Sequence, residues 1–456
     1  MISRRRLVVF GAAASGATLL GAGGAAAQSP HSHSLHSSGA ARPGFVTVAD
    51  GQLQIDGAPY RYCGANMWYA AYLGADAAFG DRDRLRRELD RLAGAGIDNL
   101  RILASGEDSP LKNSLKPAFR DQSPDYNEAL LRGLDFALAE MSQRDMRAVL
   151  YLTNFWEWSG GMMTYLLWTN GGDYINMNDP AHPWPAFPDF TSRFYAQPEA
   201  VALYHDYVRA LVGRTNTVTG GLYSDDKTIQ SWQLANEPRP GGSADVAAQH
   251  MPDFYSWIQG SAQLIKSLDP HHLVSTGNEG LKGCVESAEV YHAAHEFPEI
   301  DYLTAHIWPQ NWGWVNPRDL AGSFAQGEAN VREYVEQHLA YAQQLGRPLV
   351  FEEFGFPRDE ESYDAGTPTS FKDRFYALIY DAVLQSARSG GPAAGSNFWA
   401  WGGEGRAQHA DYHMQVGDTS YVGDPPHEPQ GWYSVFDSDE STLALIRAHA
   451  EAIRAV

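Results

Sequence analysis

An eightfold alternation limits the fold of this chain more than any other feature. A short apolar strand, a polar loop and an amphipathic helix follow one another along most of the 456 residues. The strands read as Arg61–Asn66, Asp98–Leu103, Arg147–Asn154, Thr228–Glu237, Leu273–Asn278, Tyr302–Trp308, Leu349–Gly355 and Ser396–Trp401. Helical patterns lie near 81–95, 126–143, 197–213, 252–267, 284–295, 327–345, 370–388 and 440–454. In the first of these, Leu85, Leu89 and Leu92 against Arg86, Glu88 and Arg91 show the 3.6-residue period. Strands that are apolar almost throughout are buried on both faces, the habit of parallel sheets. Eight strand–helix repeats then close into a single α/β domain, a (β/α)8 TIM barrel over residues 44–456. A doubly wound open sheet is the competitor, but no Gly-rich phosphate loop follows the first strand. Ahead of the barrel, Phe45 to Tyr60 turns at Asp50-Gly51 and Asp56-Gly57. That is a hairpin, expected to close the barrel floor.

The long excursions, 156–196, 309–325 and 402–438, all follow strands. Loops after strands build the active face of such barrels, so these long βα loops mark the end that does the chemistry and wall its cleft. The first 27 residues read as a removable leader. Arg4, Arg5 and Arg6 precede a weakly apolar Ala/Gly/Leu run, and Ala25-Ala26-Ala27 fits a cleavage site. Paired arginines and low hydrophobicity point to a twin-arginine signal peptide and an exported protein, secreted or periplasmic. Residues 28–43 read as a disordered Ser/His/Ala linker whose His31, His33 and His36 are spacer residues rather than metal ligands. The net charge is −21, and loss of the three leader arginines makes it more negative still. Such an excess argues against nucleic acid and anionic membranes as partners. It suits a soluble exported monomer with a neutral substrate. Cys63 and Cys284 read as two buried thiols rather than a disulfide.

Two strands end in carboxylates. The fourth runs Trp232-Gln233-Leu234-Ala235-Asn236-Glu237-Pro238, where the proline stops ladder pairing. The seventh ends in Glu352-Glu353-Phe354-Gly355. Two acids on two parallel strand tips are what glycosidic-bond hydrolysis requires. Adjacent strand residues face opposite ways, so periodicity alone leaves Glu352 and Glu353 equivalent. Other polar or aromatic groups gather at the same rim: Asn66 and Trp68, Arg101, Asn154 and Trp156, Asn236, Glu279, His306 and Trp308, and Trp399. Singly, each has a structural explanation as a turn residue, an ion-pair partner or a core group. Eight strands presenting such groups at one rim are harder to ascribe to chance. Of 13 tryptophans, only Trp232 and Trp257 lie away from strand ends and the loops after them. Flat aromatic faces bury the apolar faces of sugar rings, so the pattern points to carbohydrate.

These motifs resemble glycoside hydrolase family 5, a family of retaining (β/α)8-barrel enzymes. Asn236-Glu237-Pro238 is similar to its acid/base motif and Glu353-Phe354-Gly355 to its nucleophile motif. Arg101, His306 and Trp399 match further active-site positions by strand. The β-mannan-cleaving branch is the most similar, through Leu152-Thr153-Asn154-Phe155-Trp156, Gly160-Gly161, the Tyr165/Trp168 pair, Gly277-Asn278-Glu279-Gly280 and Gln430-Gly431-Trp432-Tyr433. One departure stands out. Where many members have His-x-Tyr on strand six, this chain has His306-Ile307-Trp308, and an indole donates a hydrogen bond but cannot accept one. The resemblance implies that Glu353, held by Arg101, attacks the anomeric carbon while Glu237 protonates the leaving oxygen and then activates water. It implies that Asn236 holds the sugar 2-hydroxyl and Trp399 floors the site. Asn66, Trp68, Asn154, Trp156, Glu279, His306 and Trp308 complete the expected substrate-binding set. No metal or cofactor is implied. The expected function is endo-β-1,4-mannan hydrolysis. Exo-acting β-mannosidase, β-1,4-glucanase and, last, a non-catalytic sugar-binding barrel are the alternatives.

Overall fold

A computed structural model describes residues 42–177 and 179–456. The expected leader and most of the linker, with its three histidines, lie outside the described residues. Eight parallel strands form one sheet: β1 (Tyr62–Asn66), β2 (Asn99–Leu103), β3 (Arg147–Tyr151), β4 (Ile229–Gln233), β5 (Leu273–Ser275), β6 (Leu303–Ile307), β7 (Leu349–Phe354) and β8 (Ala393–Phe398). Their ladder order is β5-β4-β3-β2-β1-β8-β7-β6. The seam between β5 and β6 is closed by single bonds, Asp301 N–H to Val274 O at 2.8 Å and His306 N–H to Glu279 O at 2.9 Å. The result is the expected (β/α)8 barrel.

Every strand residue but Arg147 is buried, which explains the continuous apolar runs. The inward-facing positions nonetheless carry polar groups that satisfy one another. Low in the barrel, Asn99 donates to Gln230 and accepts from Asn397, at 2.8 and 2.9 Å. Above it, Gln233 Nε2 donates to Ser275 at 3.0 Å and to Glu352 at 2.6 Å. The hairpin of the sequence is a three-stranded antiparallel sheet, Val46–Ala49, Gln52–Ile55 and Ala58–Pro59. Its Val46 and Leu53 pack on Tyr62, Leu273, Tyr302, Val350 and Ala394, at or near the strand starts. The floor is therefore where the hairpin was expected.

Six strands stop short of their expected ends: β3 ends at Tyr151 rather than Asn154, β6 and β7 end one residue early, and three others change direction at the tip. β4 ends at Gln233 rather than Glu237, β5 at Ser275 rather than Asn278, and β8 at Phe398 rather than Trp401. After β4, β5 and β8 the chain turns away from the ladder. Glu237 has φ 51° and Gly277 φ 71°, and the Trp399–Ala400 peptide is cis. The excursion after β3 hides a helix, Gly161–Thr169. Met162, Met163, Tyr165 and Leu166 on it are all buried. A helix covered on nearly all sides has no amphipathic period for a sequence reading to find. The helices expected at 252–267, 284–295 and 327–345 span Ala244–Leu268, Ala288–His295 and Leu320–Leu345. Both cysteines are buried free thiols.

Candidate active site

The site begins with a bulge. Phe351 pairs with Ala305 and Glu353 with His306, which leaves Glu352 as an extra residue in β7. Strict alternation would turn one of two neighbouring glutamates outward. The bulge turns both toward the barrel axis at different heights. Glu352 is fully buried among Gln233 and Tyr302, whose hydroxyl reaches it at 3.2 Å. Glu353 emerges above it into the cavity at the barrel mouth.

Arg101 on β2 is the fixed charge beneath that mouth. It is fully buried, and every guanidinium nitrogen is engaged. Nε donates to Gln233 at 2.7 Å, Nη2 to Asn236 at 2.7 Å, and Nη1 to Asn66 at 3.2 Å and to Glu353 in close contact. Asn66 in turn donates to the Glu352 carbonyl at 2.7 Å. Asn236 donates to Asn154 at 3.1 Å, and Asn154 accepts the Trp156 N–H at 3.1 Å. One arginine thus fixes the tips of β1, β2, β4 and β7.

Glu237 faces Glu353. A ligand atom from each, and one from His306 on β6, lie within 4.8 Å of one another. Glu237 accepts the Trp156 indole N–H at 2.5 Å and meets His306 Nδ1 at 2.6 Å, which is 3.3 Å from Glu353. Glu237 itself takes a left-handed backbone conformation that non-glycine residues rarely adopt, and such strain gathers at functional sites. Burial pushes both carboxyls up from the usual range and pushes His306 well down, so the imidazole is neutral. Two carboxylates this close do not readily ionise together. Arg101, in direct contact with Glu353, favours the charge there against that burial. This trio is the one group with metal-ligand spacing among the described residues. The guanidinium on Glu353 already supplies the positive charge that a cation would bring.

A cavity of about 880 Å³ opens over the pair. Of the expected substrate-binding residues, Trp156, Asn236, Glu279, Trp308 and Trp399 line it. Asn66, Arg101, Asn154 and His306 do not. They stand behind the surface and hold the residues that line it. Trp68 departs furthest from expectation. It is fully buried, gives its N–H to Gly423 O at 3.0 Å, and packs edge-on against Trp158 at 6.0 Å. With Tyr69, Tyr72 and Tyr421 it forms an aromatic plug on the β1–β2 side of the rim. No residue of the loops after β1 and β2 lines the cavity.

The sequence reading missed Arg239, Asn311, His427 and Glu428, all cavity residues. Arg239 lies two residues past Glu237, ion-paired with Glu279 and stacked 5.0 Å over Trp156. That spacing was the available signal. His427 and Glu428 sit in a long loop with no period to place them. Burial raises Glu428 well above the usual carboxyl range, and one of its oxygens has no hydrogen-bond partner.

A parallel (β/α)8 barrel with two opposed carboxyls at its C-terminal mouth has the layout of a retaining glycoside hydrolase. The sequence matches the family model described as GH family 5 beta-mannosidase-like over residues 43–456, and the chain belongs to glycoside hydrolase family 5. It is similar to mannan endo-1,4-beta-mannosidase 1 of Oryza sativa subsp. japonica, 29% identical over 394 residues, covering 82% of this chain and 83% of that protein. Among solved structures it resembles a glycoside hydrolase family 5 mannosidase from Rhizomucor miehei, with TM-score 0.82, 35% identity and coverage of 90% and 98%. A variant of that mannosidase is known in complex with mannosyl-fructose. The endo-1,4-beta-mannanase of the same fungus shares the fold, with TM-score 0.65 at 22% identity.

Proposed function

We propose that this enzyme hydrolyses β-1,4-mannosidic bonds in mannans with retention of anomeric configuration, as an endo-β-1,4-mannanase. The observation that carries the reading is the facing of Glu237 and Glu353, with ligand atoms within 4.8 Å. Retaining enzymes hold their carboxyl groups roughly 5–5.5 Å apart, and inverting ones leave room for a water. Glu353, charged beside Arg101, attacks the anomeric carbon from one face. Glu237 gives its proton to the departing oxygen, and a covalent glycosyl-enzyme forms. Glu237, now ionised, takes a proton from water, which displaces Glu353 and restores both groups. Asn236, fixed by Arg101 and lining the cavity, is placed to hold a sugar hydroxyl. Names of relatives that cleave mannan support the choice of sugar.

A second reading, release of mannose from chain ends, is favoured by one observation. The aromatic plug around Trp68 closes the β1–β2 side of the rim, so the cavity draws its walls from the loops after β3, β4, β5, β6 and β8. A trench closed at one end accepts a chain terminus rather than a chain passing through. Chromatography of the first products from mannohexaose separates the modes: mixed oligomers mean internal cleavage, mannose alone means terminal cleavage. Proton NMR of the first-formed anomer tests retention, and initial release of the α-anomer would refute the two-step route. Turnover of cellohexaose in place of mannohexaose would overturn the choice of sugar. Glu237→Ala and Glu353→Ala should each lower kcat by about 1,000-fold or more; near-normal turnover in either removes that residue from its role. We further propose export by the twin-arginine route. No helix among the described residues is long and apolar enough to cross a membrane.

A further inference from the structure

One wall of the cavity is a strap, residues 424–434, in the loop after β8. It contributes Pro425, His427, Glu428 and Trp432. Little regular structure supports it. Two buried charges of opposite sign grip its end instead. Asp424, fully buried, accepts the N–H of Gly431 at 2.7 Å, the N–H of Tyr433 at 2.6 Å and the Ser434 hydroxyl at 2.5 Å. Lys372, fully buried on helix Ser370–Arg388, donates to the carbonyls of Tyr433 at 3.1 Å and Ser434 at 3.0 Å. The same turn therefore gives its N–H groups to an acid and its C=O groups to an amine. Lys372 has no carboxylate partner within ion-pair distance among the described residues, and burial pushes it down to about 7. A lone buried ammonium is costly, and its two hydrogen bonds are both spent on the strap. The turn it holds reaches the reacting groups. The Tyr433 ring lies 5.1 Å from Trp308, its hydroxyl bonds Asn311, and Trp308 stands beside Glu237.

We propose that Lys372 and Asp424 are positioning residues, a pair that sets the strap as a preformed wall of the sugar site without touching substrate. The proposal rests on the mannoside reading for its substrate, but not for its structural test. Lys372→Met keeps volume and removes the donor to both strap carbonyls. Asp424→Asn keeps shape and weakens the acceptor. Each variant should keep the wild-type circular dichroism spectrum. KM for mannotriose should rise about tenfold or more while kcat falls less than about threefold, because the wall loosens around an intact Glu237–Glu353 pair. In both variants the amides of Gly431 and Tyr433 should exchange with deuterium at least about tenfold faster, and Leu53 in the floor should be unchanged. A merely structural role predicts fewer active molecules, hence lower kcat at unchanged KM. That outcome, or amides as slow as wild type, overturns the proposal. If the wild-type enzyme leaves every mannoside intact, the mannoside reading fails, and amide exchange alone decides the role of the pair.

Discussion

In the proposed mechanism the proton of Glu237 is held by a balance of neighbours that single substitutions can tip. Burial favours the neutral acid, whereas Arg239 and the indole N–H groups of Trp156 and Trp308 favour the carboxylate. Removing a donor to the charged form raises the pKa. Trp156→Phe should therefore move the alkaline limb of the kcat/KM profile upward, by about one unit if the bond contributes roughly 1.5 kcal/mol. A downward shift of that limb would contradict the assignment of Glu237 as the proton donor. The neighbouring glutamates of β7 make a second contrast at this scale. Glu352 accepts from Gln233 and Tyr302 and has no access to the cavity. Glu352→Gln should lower the thermal midpoint yet reduce kcat by less than about tenfold, far from the collapse expected of Glu353→Ala. Parallel melts and rate measurements on the two variants distinguish them.

At the scale of elements, the loop after β3 shows how a buried acid organises a turn. Glu107 accepts the Gly161 N–H at 2.7 Å and the Thr153 hydroxyl at 3.2 Å. Gly160 and Gly161 both have positive φ, and a Cβ on Gly161 would fall 2.4 Å from Asn154 O. Glycine is required there because the turn brings the carbonyls of both Asn154 and Trp156 against Gly161, where a side chain would collide with them. Burial raises Glu107 to about 7. An acid whose folded pKa lies above its unfolded value stabilises most below the unfolded value, near pH 4, and loses that contribution as pH rises through 7. The thermal midpoint of the wild type minus that of Glu107→Gln should therefore shrink between pH 5 and pH 8. A difference that grows over that interval would mean that Glu107 is ionised in the fold at pH 5.

Across the whole molecule, the two ends of the barrel have different tasks. Leu53 is fully buried in the floor against residues at or near the strand starts, and the cavity lies at the opposite end. Leu53→Ala should cost about 2–5 kcal/mol of stability through lost burial and the void left behind. The kcat/KM of the molecules that remain folded should be unchanged. A melt paired with kinetics well below the midpoint checks both halves, and a matching loss of kcat/KM would mean that the floor and mouth are coupled.

Much of this was legible along the chain, because the determining physics is local. Eight apolar runs separated by amphipathic helices admit few closed arrangements, and Asn236-Glu237-Pro238 and Glu353-Phe354-Gly355 mark their strand tips without reference to neighbours. The rest depended on contacts between residues distant in sequence. The bulge that places Glu353 above Glu352 is a matter of register against β6, which period-two reading cannot detect. Whether a rim aromatic faces sugar or core is decided by what packs over it. Tyr421 and Trp158 bury Trp68, while Trp156 remains at the cavity. Composition and spacing thus determined the barrel and its two acids; only the folded chain decided which side chains line the site and which hold the liners in place, because burial is a property of neighbours brought together from the whole sequence.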